Sequence, residues 1–176
     1  MLTTLVMTII GPDRTGLVNS LAQTVADNGG NWLESRMCHL GGQFAGLVQV
    51  EIDEAQAEGL RAKITDLTAS GLQVMVQSDS TPASAVQTEL VMVDLVGQDR
   101  PGLLRAITSV FAKHQVNIEE LDSERTAAPQ GGGVLFKANA TLSIPATADL
   151  DAIGDDLERI ATDLLVDIRM APDPGA

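Results

Sequence analysis

Gly97-Gln98-Asp99-Arg100-Pro101-Gly102-Leu103-Leu104 closes an apolar run, Leu90 to Val96, and opens a segment in which Leu103, Leu104, Ile107, Val110 and Phe111 recur at helical spacing. That order reads as a strand, a tight turn and a helix start. The same arrangement lies 86 positions earlier (Gly11 against Gly97), where Leu5 to Ile10 lead into Gly11-Pro12-Asp13-Arg14-Thr15-Gly16-Leu17-Val18. A chain of 176 residues that repeats such a device divides into two domains, each of about 85 residues.

Working outward from the first copy, Leu2 to Ile10 reads as a central strand and Thr15 to Asn28 as a helix, with Leu17, Leu21 and Val25 on one stripe and Val18 and Ala22 beside them. Gly29-Gly30 ends the helix. Asn31 to Leu40 and Phe44 to Ile52 form a hairpin through Gly41-Gly42, with Phe44, Gly46, Val48, Val50 and Ile52 sharing a face. A second helix from Ala55 to Thr68 buries Leu60, Ile64 and Leu67, and Leu72, Val74 and Val76 alternate in a last strand.

The second copy predicts strands at Leu90–Val96, Asn117–Arg125, Phe136–Ile144 and Val166–Met170. Its helices fall at Gly102–His114 and Asp149–Thr162, the latter with Leu150, Ile153, Leu157, Ile160 and Leu164 on its buried stripe. Phe44 matches Phe136 at an offset of 92 rather than 86, so six residues are inserted in the loop from Thr126 to Gly133, whose Gly131-Gly132-Gly133 reads as a hairpin tip. Each half is β-α-β-β-α-β, which right-handed crossovers close into a four-stranded antiparallel sheet with two helices on one face. The predicted class is α+β, two ferredoxin-like domains at 1–78 and 88–171, a polar linker at 79–87 and a tail at 172–176. In this topology the first and third strands are central, and the second and fourth are edges open to pairing, either between the two halves in an eight-stranded sheet or with further copies in the homo-oligomer that is expected.

Eleven basic against 24 acidic residues give a formal charge of −13, which opposes direct contact with nucleic acid or anionic lipid. Cys38 is the only cysteine, so an intrachain disulfide is excluded. No leader pattern precedes Leu2, and no apolar run approaches the ~20 residues of a membrane span. A cytoplasmic protein is expected.

Between Gly11–Glu34 and Gly97–Glu120 the retained residues are Gly11/Gly97, Asp13/Asp99, Arg14/Arg100, Gly16/Gly102, Leu17/Leu103, Ala26/Ala112, Asn31/Asn117 and Glu34/Glu120. Helix-start amides lack intrahelical partners and carry partial positive charge, so a glycine there, free of a Cβ, makes a candidate pocket for an anion. Asp13 and Asp99 have a plainer role open to them, capping their helices, as Asn31 and Asn117 have in bonding their own backbone. Arg14 and Arg100 are expected to be solvated or paired with Glu34 and Glu120 rather than to contact a ligand directly.

Gly-x-Asp-Arg-x-Gly-Leu followed by an asparagine at the start of the second strand resembles the ACT domain, a small regulatory module. Its occurrence twice resembles the tandem proteins of the glycine cleavage system transcriptional repressor family. The resemblance implies a small amino acid, glycine first, bound near the first loop and often at an interface between paired domains. Its carboxylate would lie on backbone N–H groups around Arg14, Thr15, Gly16 and Leu17, or around Arg100, Gly102 and Leu103 beside Pro101, which has no N–H, and its ammonium on Asn31 and Asn117 or Asp13 and Asp99. It further implies a protein partner, a transcription activator whose action is antagonised. The alternative is a ligand-free scaffold that assembles through its edge strands.

No catalytic residue, metal ligand or cofactor is expected. His39 and His114 fit no ligand spacing, Cys38 has no Cys-x-x-Cys partner, no Gly-x-Ser-x-Gly nucleophile occurs, and Asp155-Asp156 reads as an exposed helix face. RNA binding on this fold stacks bases on aromatic strand residues. Phe44 and Phe136, one per half, provide no such platform.

Overall fold

In the computed structural model the chain runs β1 (Leu2–Pro12), α1 (Leu17–Asp27), β2 (Asn31–Leu40), β3 (Gln43–Asp53), α2 (Glu54–Asp66), a 3-10 turn (Leu67–Ser70) and β4 (Gln73–Ser78). It repeats as β5 (Thr88–Gln98), α3 (Leu103–Lys113), β6 (Asn117–Ala127), β7 (Val134–Pro145), α4 (Leu150–Leu164) and β8 (Val166–Pro172). The structure describes residues 1–78, 88–129 and 132–172. Two units separate at Met1–Ala83 and Ser84–Ala176. The expected linker at 79–87 and, within the expected tail, residues 173–176 lie outside the described residues, while Pro172 ends β8.

Both sheets are four-stranded and antiparallel, ordered β2-β3-β1-β4 and β6-β7-β5-β8. The central positions of the first and third strands, and the edge positions of the second and fourth, are those expected. Along β1, Leu5, Met7 and Ile9 are buried while Thr8 and Ile10 are exposed, the period of two that a one-sided sheet imposes. Leu17, Leu21 and Val25 of α1 and Leu60 and Ile64 of α2 close the first core; Leu103, Ile107, Val110 and Phe111 of α3 with Ile153 and Leu157 of α4 close the second. Three expected helix positions fall outside these stripes: Val18 is 42% and Leu150 45% exposed, and Ala22 is exposed as well. Leu150 opens α4 next to its capping residue, a turn before the helix settles on the sheet.

The first motif glycine is a packing residue. A Cβ built on Gly97 would stand 2.1 Å from Val166 Cγ1, and one on Gly11 would stand 2.8 Å from Leu72 Cδ2. In each domain the residue that enters the fourth strand thus lies against the end of the first.

Asp156 departs from expectation. It is 7% exposed, not on an open helix face, and it accepts from Lys113 Nζ at 2.5 Å, Arg159 at 2.6 Å and lies 2.7 Å from His114 Nε2. The hydrogen bonds from Lys113 and then His114 hold its carboxyl well below the usual carboxylate range, against the opposing pull of desolvation. Pairwise spacing on α4 places it on the boundary of the buried stripe with Arg159 one turn on, and the docking of the α3 C-terminus there brings Lys113 and His114 to it.

Gly97→Ala forces Val166 to move and should cost about 1–3 kcal/mol in chemical denaturation, as overpacking does. Asp156→Asn should lower the denaturation midpoint at neutral pH. Because the native carboxyl titrates below its unfolded value, the stabilisation is complete above about pH 4 and declines as pH falls further. The gap between variant and wild type should therefore narrow in acid.

Candidate functional site

The two motif loops deliver their helices in the same unusual way. The residue preceding α1 is Gly16, at φ 86°, and that preceding α3 is Gly102, at φ 88°, and neither helix has a side-chain cap. The second helix of each domain starts differently: Asp53 accepts from Ala55 N at 3.0 Å and Asp149 from Ala152 N at 3.1 Å. Capping by Asp13 and Asp99, open on sequence grounds, does not occur. The first intrahelical bonds are Ser20 N to Gly16 O and Ala106 N to Gly102 O, so the amides of Leu17, Val18 and Asn19, and of Leu103, Leu104 and Arg105, precede them.

Asp13 and Asp99 turn instead to the hairpin of their own sheet. Asp13 N donates to Gly42 O at 3.0 Å and Asp99 N to Val134 O at 2.9 Å. Asp99 Oδ2 meets Arg125 Nε at 2.7 Å, and Asp13 Oδ2 lies 3.7 Å from His39 Nε2. The register explains the pairing, since Gly97 opposes Phe136, which opposes Arg125, and Gly11 opposes Phe44, which opposes His39. Sequence reasoning missed His39 and Arg125 because they are not identical. The available signal was a cationic or protonatable side chain at one offset, 86, in both halves.

Arg14, Thr15, Gly16, Pro101 and Gly102 are exposed, Asp99 and Arg100 are half-buried, and the Leu17 and Leu103 side chains belong to the cores. Leu17 and Leu103 therefore offer a guest only their amides. The glycine at 16 and 102 is demanded by the left-handed dihedral and not by crowding, because among the described residues no atom beyond the adjoining residues lies within 4 Å of a Cβ built there.

Asn31 and Asn117 stand at the other end of the domain. Asn117 opposes Ser143, which opposes Leu90, seven residues before Gly97 along β5, or about 23 Å of strand. Asn31 lies seven residues from Gly11 by the same route, through Glu51 and Thr4. One domain's asparagine and its own loop thus do not converge on a single small amino acid. Each asparagine precedes a register shift, between Trp32 and Glu34 and between Ile118 and Glu120, so the retained Asn and Glu flank a bulge present in both copies. Asn117 Nδ2 donates to Glu119 at 2.9 Å, and Glu34 pairs with Arg36 within its own strand at 3.2 Å.

Among the described residues no group of three or more His, Cys, Asp or Glu is arranged to hold a metal, and no helix is long and apolar enough to cross a membrane. Cys38 is exposed. An apolar cleft of about 20 Å³ lies between α3 and its sheet, lined by Leu104, Ile107, Phe111, Ile118 and Leu121 among others, room for little more than one water.

Uncapped helix starts after a left-handed glycine, twice, on β-α-β-β-α-β domains, define a class. Residues 3–77 and 91–142 each match the ACT domain, and the chain belongs to that family as a tandem ACT-domain protein. It is 29% identical over 164 residues to the glycine cleavage system transcriptional repressor of Escherichia coli (strain K12), covering 91% of this chain and 85% of that protein. The repressor of Shigella flexneri matches equally. Among solved structures, an unknown protein from Galdieria sulphuraria superposes with a TM-score of 0.88 at 26% identity, over 98% of this chain and 99% of that one. A candidate glycine cleavage system transcriptional repressor superposes at 0.69 and 20% identity, over 98% and 99%, a likeness of fold.

An alanine at Gly16 or Gly102 meets no clash but must hold positive φ, so each substitution should cost about 1–2 kcal/mol. The thermal midpoint should fall by roughly 4–8 °C per kcal/mol in a domain of this size.

Proposed function

We propose that this is a non-enzymatic regulatory protein that binds a small amino acid at the helix starts behind Asp13–Leu17 and Asp99–Leu103 and passes its occupancy to a protein partner. One observation carries the site. In both domains the first helix begins uncapped, with its aspartate drawn off to the hairpin, whereas the second helix is capped by an aspartate in the ordinary way. The first-turn amides are then available to a carboxylate, with the helix dipole adding to the attraction.

The similarity to glycine cleavage system transcriptional repressors supports glycine as the first ligand to test and a transcription activator as the partner. Regulation by contact with a protein suits a net charge of −13, which opposes direct DNA binding. We place the protein in the cytoplasm. A change of 5–150-fold in partner affinity needs a coupling of roughly 1–3 kcal/mol, within reach of a few polar contacts to the guest.

A second role is favoured by the edges of the sheets. Leu33 and Leu40 of edge strand β2 are 46% and 80% exposed, which suits assembly with a further copy of the chain and no ligand.

A thermal-shift screen across the amino acids separates the two. Glycine at ~100 times its dissociation constant should stabilise the protein by about 2.7 kcal/mol. An unchanged midpoint for every amino acid, with a concentration-dependent oligomer, would establish the scaffold instead.

A further inference from the structure

The two copies of the loop are held with different strength. In the second domain Asp99, 24% exposed, meets a guanidinium at 2.7 Å. In the first, Asp13 is 47% exposed and its partner is an imidazole 3.7 Å away, charged only when protonated. Each aspartate's own N–H is anchored to the hairpin carbonyl opposite, so the side-chain pair and the amide bond together make a strap from the edge strand and hairpin to the helix start. An ion pair at 2.7 Å onto a half-buried carboxylate, made by a guanidinium that is 66% exposed but always charged, holds geometry better than a 3.7 Å contact whose cation exists only when the imidazole is protonated.

We propose that Arg125 is a positioning residue: through Asp99 it pre-orders the second domain's loop, so the second domain is the tighter amino-acid site and the first, strapped by His39, the weaker. The proposal rests on the loop function above for its consequence in affinity, and on the two straps alone for its structural half. Arg125 does not touch the guest. It lowers the ordering cost that binding would otherwise carry, which is how pre-organisation raises affinity.

The two halves are tested on the full chain. Residue-resolved hydrogen exchange by NMR reads the Asp99 and Asp13 amides without any ligand. Asp99 should be the better protected; Arg125→Gln should reduce its protection about fivefold, the range of a semi-exposed ion pair, and leave Asp13 unmoved. Arg125→Lys should restore part of the loss, and His39→Arg should raise the protection of Asp13. Equal protection of the two amides in wild type, or no response of Asp99 to Arg125→Gln, overturns the strap.

Calorimetric titration with glycine then reads the consequence. The tighter of two binding events should weaken about fivefold in Arg125→Gln, and the weaker should tighten in His39→Arg. Unchanged affinity in a variant whose Asp99 amide has loosened overturns the positioning role. A wild-type chain that takes up no glycine overturns the ligand reading beneath it, while the exchange result stands by itself.

Discussion

The backbone at Gly16 and Gly102 turns through positive φ, 86° and 88°, at the point where a central strand becomes a helix. A residue with a Cβ resists that dihedral, and a right-handed residue there would send the helix off the sheet. The turn also removes the position from which an N-cap side chain would reach the first amides. Much else at this end of each domain serves the bend. Gly11 and Gly97 let the side chain at the entry to the fourth strand, Leu72 just before β4 or Val166 opening β8, pack against the end of the first strand, and the aspartates tie the loop to the hairpin rather than to the helix.

On this common frame the two domains have been fitted differently. The sheet face away from the helices carries Thr8, Ile10, Leu47 and Met75 in the first domain, where Thr8 lies between Leu47 and Met75 in register. The matching centre of the second sheet is Asp94 between Asn139 and Arg169. The Asp156 cluster has no cationic counterpart at the end of α1, where Asp27 and Asn28 stand in place of Lys113 and His114. The buried face keeps the periodicity that the fold requires, whereas exposed faces and helix ends were free to diverge.

The elements were legible because their causes are local. Alternation in Leu5 to Ile9, the three-and-four spacing of Leu17, Leu21 and Val25, and the glycines at 29–30, 41–42 and 71 act within a few residues of themselves. Boundaries drifted: the first helices begin at Leu17 and Leu103, after the glycine, because the glycine's dihedral is not helical. Asp156 was misjudged, since two of its three partners, Lys113 and His114, come from the end of α3, more than forty residues away in sequence.

The repeat in the sequence by itself determined that there are two domains, the four-strand, two-helix order of each, and the glycine loop that opens the first helix of both. Tertiary structure alone decided how those loops are held and what shares their end of the domain. It placed His39 and Arg125 beside the aspartates and moved Asn31 and Asn117 to the opposite end of their sheets. Periodicity records which face a residue takes, a property of neighbours in the chain. The row of a sheet in which it stands depends on strand register, which is set by pairing with residues remote in sequence.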